Sequence, residues 1–375
     1  MLRRDLAAIG AFCALTLAAA AGPPQYTLVE VTPQPLRNWN AYDLGAQGQV
    51  VGRTYDLNVS PPLSRGFLWQ NGVMTLLDGP AGETITEARC IDDNGVIYGG
   101  YADRRFSLNS LKMNPLRWVG GTPTPYPNNQ GINSSMFFGC APTSGIAVGW
   151  AKPFQPGALG WRGEFGYANE FDFGNGDPVR AFRWDASGGA VITKWIGSHD
   201  DVASDINNSG QMAVYIGSFE LSGAAIFDPR FGLAHLPGLG TGEASTWAFA
   251  INESGQVVGR AQVAGKIERP VRWFNGSVTD LGVLPGFIEG EALDINDAGV
   301  IVGPLSDQNF AFGVMPTAGF VYVGGTMYNL NTLIPPGSGF TIHSALALNN
   351  AGQILVRMID NATSRDRYAV LTPGP

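Results

Sequence analysis

The chain has 375 residues, of which only 14% are charged, against about 25% in an average soluble domain. Its 51 glycines are roughly twice the usual share, 45% of residues are hydrophobic, and the formal net charge is −8. This balance excludes a disordered chain, which needs low hydrophobicity or high net charge. It also lacks the basic excess that nucleic acid or an anionic lipid surface attracts.

In chain order, residues 1–21 read as a secretory signal: Arg3 and Arg4, an apolar run from Leu6 to Leu17, then Ala19, Ala20 and Ala21 as a small-residue cleavage site. The run is shorter than the roughly 20 apolar residues a membrane span needs. The expectation is a cleaved signal, a mature chain over 22–375 that is secreted or periplasmic, and no membrane insertion. Cys13 follows Phe12 inside the apolar run, which does not suit lipidation, so Cys90 and Cys140 remain in a compartment where a disulfide persists.

Tyr26-Thr-Leu-Val-Glu-Val31 is a strand-like run, and after it one pattern recurs seven times. Its clearest copies run through Asp205-Ile-Asn-Asn-Ser-Gly210, Ala248-Phe-Ala-Ile-Asn-Glu-Ser-Gly255-Gln-Val-Val-Gly259 and Ala292-Leu-Asp-Ile-Asn-Asp-Ala-Gly299-Val-Ile-Val-Gly303. The central glycines are 48, 95, 145, 210, 255, 299 and 352, a period in the range of propeller blades and outside that of helical repeats. Seven positions before the central glycine stands alanine in six copies, with Phe138 the exception, and most copies carry Asn or Asp at position −3. That carboxamide or carboxylate with glycine three residues later is turn chemistry, so each unit begins with a hairpin. A third strand ending in an aromatic residue follows (Trp69, Trp118, Trp184, Phe227, Trp273, Tyr322), and then a glycine turn into a fourth strand.

The seventh unit stops after its third strand, Arg367 to Leu371, and Tyr26–Val31 can supply the missing one. The predicted fold is therefore all-β: a seven-bladed β-propeller of four-stranded blades, one domain over 22–375, closed by the N-terminal strand pairing into the last blade. An open β-solenoid is the competing architecture, and the sequence shows no cap for its ends.

The combination Asp-Ile-Asn-x-x-Gly-x-Val-Val-Gly, a Phe/Arg-Trp segment, Gly and Asp-Leu-Gly resembles the bacterial extracellular repeats of the HAF family, with Gly255 to Gly282 the best copy. The resemblance covers nearly the whole mature chain, although the namesake triplet stands here as Arg180-Ala-Phe182. It implies a secreted, propeller-like protein and carries over no catalytic residues.

Among chemical candidates, Cys90 and Cys140 both stand five residues before their central glycines, which places them on neighbouring inner strands as a possible disulfide. No Cys-x-x-Cys occurs, and none of the three histidines (His199, His235, His343) belongs to a His-Glu-x-x-His motif, so no metal is expected. Asp205 to Ile216 imitates the start of a calcium loop but lacks its closing carboxylate, which favours a simple turn. Asp43, Asp205 and Asp294 share position −5 and read either as part of an acidic ring near the channel or as solvated or backbone-bonded carboxylates. Nucleophile-elbow, Walker and dinucleotide glycine patterns are missing, so no catalytic residue or cofactor is assigned.

The one long step, 65 residues between Gly145 and Gly210, holds an insertion over 150–178 with Trp150, Trp161, Phe165, Tyr167 and Phe171. Such rings on a loop suit stacking on sugars or gripping peptide side chains, or else they fold back onto the blades. A second variable segment, Thr122 to Met136, precedes it and is expected to share its rim. The expected function is a non-catalytic binding module for a carbohydrate or protein ligand. The alternatives are a propeller glycosidase or polysaccharide lyase using carboxylates from different blades, and a structural surface or matrix protein. The oligomeric state is not legible.

Overall fold

The computed structural model describes residues 23–32, 38–56, 63–80, 83, 85–102, 113–126, 132–153, 180–185, 188–191, 200–217, 223–240, 245–308 and 316–374. The expected signal, and Trp161, Phe165, Tyr167 and Phe171 of the insertion, lie outside them. Every repeat becomes one antiparallel sheet, and seven sheets form a β-propeller. Blades 1 to 6 span residues 38–77, 86–125, 132–191, 200–235, 246–280 and 289–329. Blade 7 takes its three inner strands from residues 340–373 and its outermost strand from Tyr26–Val31, which pairs with Arg365–Pro373 from Tyr26↔Pro373 to Val31↔Tyr368. The ring is thus fastened by the two ends of the chain.

The inner hairpins follow from the repeat. All seven central glycines have φ between 71° and 79°, the left-handed region that a side chain disfavours. Along the second strand the period of two sends neighbouring residues to opposite blades. Val50 packs with Leu355 and Tyr368 of blade 7, while Val51 packs with Ala88, Ile97 and Trp118 of blade 2. The core is therefore a set of layers between blades, which explains why charge is scarce in the chain as a whole.

Six of the seven inner strands carry a bulge at the same place, and that of blade 6 is split into Glu289–Gly290 and Asp294–Ile295. The pairing register slips at Tyr42, Arg89, Phe138, Ser204, Phe249 and Leu346, each just after the alanine position. A bulge turns one residue out of the alternation, and these six, with Leu293 in blade 6, line the central channel. The same distortion pushes an inner-strand carbonyl toward the second strand. A Cβ on Gly52, Gly99, Gly149, Gly259 or Gly303 would lie 1.8 to 2.0 Å from that oxygen, so the second glycine is a packing requirement in these five blades, while Val214 and Val356 stand at its place in blades 4 and 7.

Among the described residues no β-ladder joins one blade to the next, and the repeat's carboxamides connect several of them. Asn207 Nδ2 donates to Asn252 O (3.0 Å), Asn252 Nδ2 to Asn296 O (3.1 Å), Asn296 Nδ2 to Asn349 O (3.1 Å) and Asn349 Nδ2 to Gly45 O (3.0 Å), from blade 4 round to blade 1. Within its own turn each Asn Oδ1 also accepts a backbone N–H, as from Gln256 to Asn252 at 3.0 Å. One position later a second relay runs through Asn208 N–H to Glu253, Glu253 N–H to Asp297 and Asp297 N–H to Asn350.

Blade 3 corrects two sequence expectations. Its turn closes from Ala141 N–H to Ile146 O, one residue more than Gly45 to Gln49 or Asn252 to Gln256. The extra residue places Phe137, not Phe138, at the alanine position, where it packs edge-on against Trp184 at 4.9 Å. It also removes the positional equivalence of Cys90 and Cys140. The variable segment is shorter than expected too, since Thr122–Pro125 is the outer strand of blade 2 and Ile132–Cys140 the inner strand of blade 3.

Replacing Asn252 by Ala removes the bond to blade 6 and leaves the partly buried backbone N–H groups of Ser254 and Gln256 in its own turn without that acceptor. The expected loss is about 1–3 kcal/mol in urea unfolding. A loss below about 0.5 kcal/mol, the scatter of an ordinary surface change, would refute the role of the relay.

Candidate functional site

The bulged residues, the −5 residues behind them and the hairpin turns enclose a cavity of about 230 Å³ at one end of the channel. Three rings, from Tyr42, Phe138 and Phe249, face it with Leu293 and Leu346. Asp43, Asp205 and Asp294 stand in its wall, and Asp93, Glu253 and Asp297 come from the turns. Arg89 is the one basic residue among the described lining residues. Its guanidinium lies 4.2 Å from the Tyr42 ring centre and 5.6 Å from that of Phe138, and it is ion-paired to buried Glu87.

The repeat brings the three −5 carboxylates together, and each spans a joint between blades. Asp43 accepts Leu44 N–H at 2.7 Å and, from the next blade, Ile91 N–H at 2.9 Å. Asp294 does the same with Ile295 and Leu348, both at 2.7 Å. Asp205 accepts Ile251 N–H at 2.9 Å and the Ile206 N–H. Both sequence readings of these acids therefore hold at once: they face the channel and they bond backbone.

Burial raises all three carboxyls above the ordinary range, Asp294 to about 7, while the backbone donors pull them down. The negative charges of Asp43 and Asp294 add to the rise at Asp205, and that of Asp43 to the rise at Asp294. At the mouth, loss of solvation and then the charges of Asp92 and Asp297 raise Asp93. The site is thus an acidic pocket whose deepest carboxylates already hold hydrogen-bond donors.

Cys90 occupies position −5 of blade 2, the place of Asp43, Asp205 and Asp294 in their blades. Cys140, shifted by the longer turn, stands where Ile91 and Ile251 present the N–H that those aspartates receive. The two cysteines are bonded, with Cα atoms 6.1 Å apart. A covalent link fills the slot that a carboxylate-to-backbone bond fills elsewhere. The spacing in the sequence brought the pair into view but hid this correspondence, because the extra residue of the blade 3 turn is visible only in its hydrogen bonds.

Trp150 corrects another expectation. It lies on the second strand of blade 3, paired with Met136 and Ala181, and is 6% exposed among Ile85, Met113 and Val202. It is a core residue and offers no ring face to a ligand. The residues that sequence reasoning missed are Tyr42, Phe138 and Phe249: their position before −5 was visible, but alternation alone assigns them to a sheet face and only the bulge aims them at the channel. Among the described residues no three or more His, Cys, Asp or Glu side chains are placed to hold a metal ion. Nor is any helix there long and apolar enough to cross a membrane.

Two outcomes test this geometry. The raised carboxyl of Asp294 binds its proton more tightly folded than unfolded, so its contribution is complete below about pH 4 and is lost as pH rises towards 7. Asp294→Asn should lower stability at pH 5, because an amide cannot accept both N–H groups, yet show a shallower fall in urea midpoint up to pH 8; an unchanged slope would contradict the assignment. Replacing both cysteines by alanine should cost roughly 2–4 kcal/mol by chain entropy, and the same loss should follow reduction of the wild type.

No protein-family model matches the chain, and no curated protein matches it. Solved structures match its fold. An oligogalacturonate lyase from Vibrio parahaemolyticus is 10% identical with a TM-score of 0.51, covering 92% of this chain and 93% of that one. A prolyl endopeptidase is 10% identical with a TM-score of 0.51 over 94% of this chain, which spans 50% of that longer protein. A streptogramin B lyase is 12% identical with a TM-score of 0.49, covering 93% and 98%. At such identities the likeness establishes the β-propeller fold, and any chemistry has to come from this chain's own residues.

Proposed function

We propose that the protein is a secreted, non-catalytic binding module of the HAF type, whose acidic, ring-lined channel mouth receives a carbohydrate or a protein ligand. The observation that carries this reading is the employment of the channel carboxylates. Asp43 and Asp294 each use both oxygens on backbone N–H groups of two blades. A general acid or nucleophile needs an oxygen directed at substrate, and these are directed at the scaffold. What stays available is a surface: three aromatic rings, the carboxylate of Asp93 and the second oxygen of Glu253. That combination suits hydroxyl donors of a sugar or basic groups of a peptide.

A glycosidase or polysaccharide lyase is the second reading. It is favoured by three carboxylates in one wall, close enough for their charges to raise one another. Paired acids from different strands are the usual equipment of sugar-bond cleavage.

One experiment separates the readings. Wild type, Phe249→Ala and Trp161→Ala are applied to glycan and basic-peptide arrays, and ligands found there are incubated with wild type and analysed for cleavage. The expected result is retention without turnover, weakened about tenfold or more by Phe249→Ala. Turnover abolished by Asp205→Asn would establish the enzyme, and no retention on either array would count against the binding module.

A further inference from the structure

The outer relay of the hairpin turns is broken at one place, and the break opens on the channel mouth. In blades 4 to 7 the side chain at position −2 accepts the backbone N–H of the −2 residue in the blade before it. Asn208 accepts Thr143 N–H at 2.8 Å, Glu253 accepts Asn208 N–H at 2.8 Å, Asp297 accepts Glu253 N–H at 2.9 Å and Asn350 accepts Asp297 N–H at 3.0 Å. Blade 1 is next in line to supply an acceptor, for Asn350 N–H, and its −2 residue is Ala46.

The joint is otherwise built like its neighbours. The blade 1 turn closes from Gly45 N–H to Gln49 O and from Gly48 N–H to Gly45 O, as the blade 5 turn does from Asn252 to Gln256 and from Gly255 to Asn252. Asn349 Nδ2 reaches Gly45 O at 3.0 Å, just as Asn296 Nδ2 reaches Asn349 O at 3.1 Å. Only the side-chain acceptor is missing, so among the described residues Asn350 N–H makes no hydrogen bond. One blade further on, the Asp93 carboxylate makes none there either. Asn350, Ala46 and Asp93 are exposed, and all three line the cavity.

A group that fills this vacancy needs an acceptor oxygen for Asn350 N–H and a donor for Asp93. A ligand carboxylate answers only the first, and it enters a mouth where the charge of Asp93 is felt at Asp43 and that of Asp297 at Asp93. A neutral amide answers both, through its carbonyl oxygen and its N–H. The blade 6–7 joint shows a carboxamide in the same double role: Asn350 Oδ1 accepts Asp297 N–H while its Nδ2 donates to Asp297 Oδ2 at 2.8 Å. Residues of all seven blades surround the cavity, so a ligand enters end-on along the axis. A pendant amide on a compact ring suits that entry, whereas the main-chain amides of an extended peptide need a groove or a sheet edge to lie along.

Building on the binding-module reading above, we propose that the vacancy at Ala46 is a subsite for an acetamido group, and that the ligand class is an N-acetylated amino sugar. The acetamido oxygen takes Asn350 N–H in place of the missing side chain, its N–H donates to Asp93, and the sugar ring is left to the aromatic side chains of the cavity.

The test uses the whole protein with the trisaccharide of N-acetylglucosamine as probe and the glucose trisaccharide, which has no acetamido group, as its analogue. Wild type should bind the probe about tenfold or more tightly than the analogue, roughly the worth of one or two hydrogen bonds. Bound probe should also slow hydrogen exchange at the Asn350 amide. Ala46→Asn supplies the missing acceptor, so it should protect that amide without any ligand and weaken the probe about tenfold. Asp93→Ala should weaken it by a similar factor, and Gln47→Ala, an exposed neighbour in the same turn, should leave it unchanged. The inference is overturned if the glucose trisaccharide binds equally well, if bound probe leaves the Asn350 amide unprotected, or if Ala46→Asn fails to protect that amide or binds the probe normally. A basic peptide retained in place of the acetylated sugar, with binding weakened by Phe249→Ala, overturns it as well while the binding module stands. Retention of no sugar and no peptide removes both.

Discussion

Each blade is a hydrogen-bonded sheet complete in itself, so the ring depends on what passes between sheets. The asparagine at position −3 supplies it. Its oxygen closes the turn of its own blade while its amide reaches the backbone of the next, so local and global structure require the same side chain. Where that residue is missing, other chemistry takes over. Asp43 reaches from blade 1 to Ile91, the disulfide joins blades 2 and 3, and Asn208 accepts the N–H groups of Thr143 and Ser144 between blades 3 and 4. Apolar layers such as Val51 with Trp118 supply area, and these directional bonds fix how the blades sit against one another.

The bulge on the inner strands connects this scaffold to function. In five blades glycine stands opposite it, where a Cβ would strike the displaced carbonyl, and in blades 4 and 7 valine takes that place. The bulge also frees one side chain per blade for the channel. That inward residue varies round the ring, being Tyr, Arg, Phe, Ser, Phe, Leu and Leu in turn. A rigid frame with one variable inward position per blade is an economical way to build a recognition surface.

Departures from sevenfold symmetry also mark where charge is stored. Six acids and one arginine share the channel cavity, Arg260 at the blade 5–6 joint is ion-paired with Glu268 and Glu291, and the blade 1–2 joint holds two arginines round Glu87. In a protein with so few charged residues, concentrating them in buried places makes its stability respond to pH through a small number of groups.

Much of this was legible in the residues themselves. The recurrence of Asn and Gly at fixed spacing, six alanines at −7 and an unpaired strand at each end of the repeat array specify seven blades and their closure, because turns and alternation are local properties of a short stretch of chain. The inward aim of Tyr42, Phe138 and Phe249 was not legible, since a bulge is a relation between two strands. Nor was the burial of Trp150, whose neighbours Ile85, Met113 and Val202 come from distant parts of the chain. The sequence by itself determined how many units there are and how each one turns. The tertiary structure alone decided which carboxylates meet, which cysteine faces which backbone slot and where protons are held, because those depend on distances between blades that no single repeat contains.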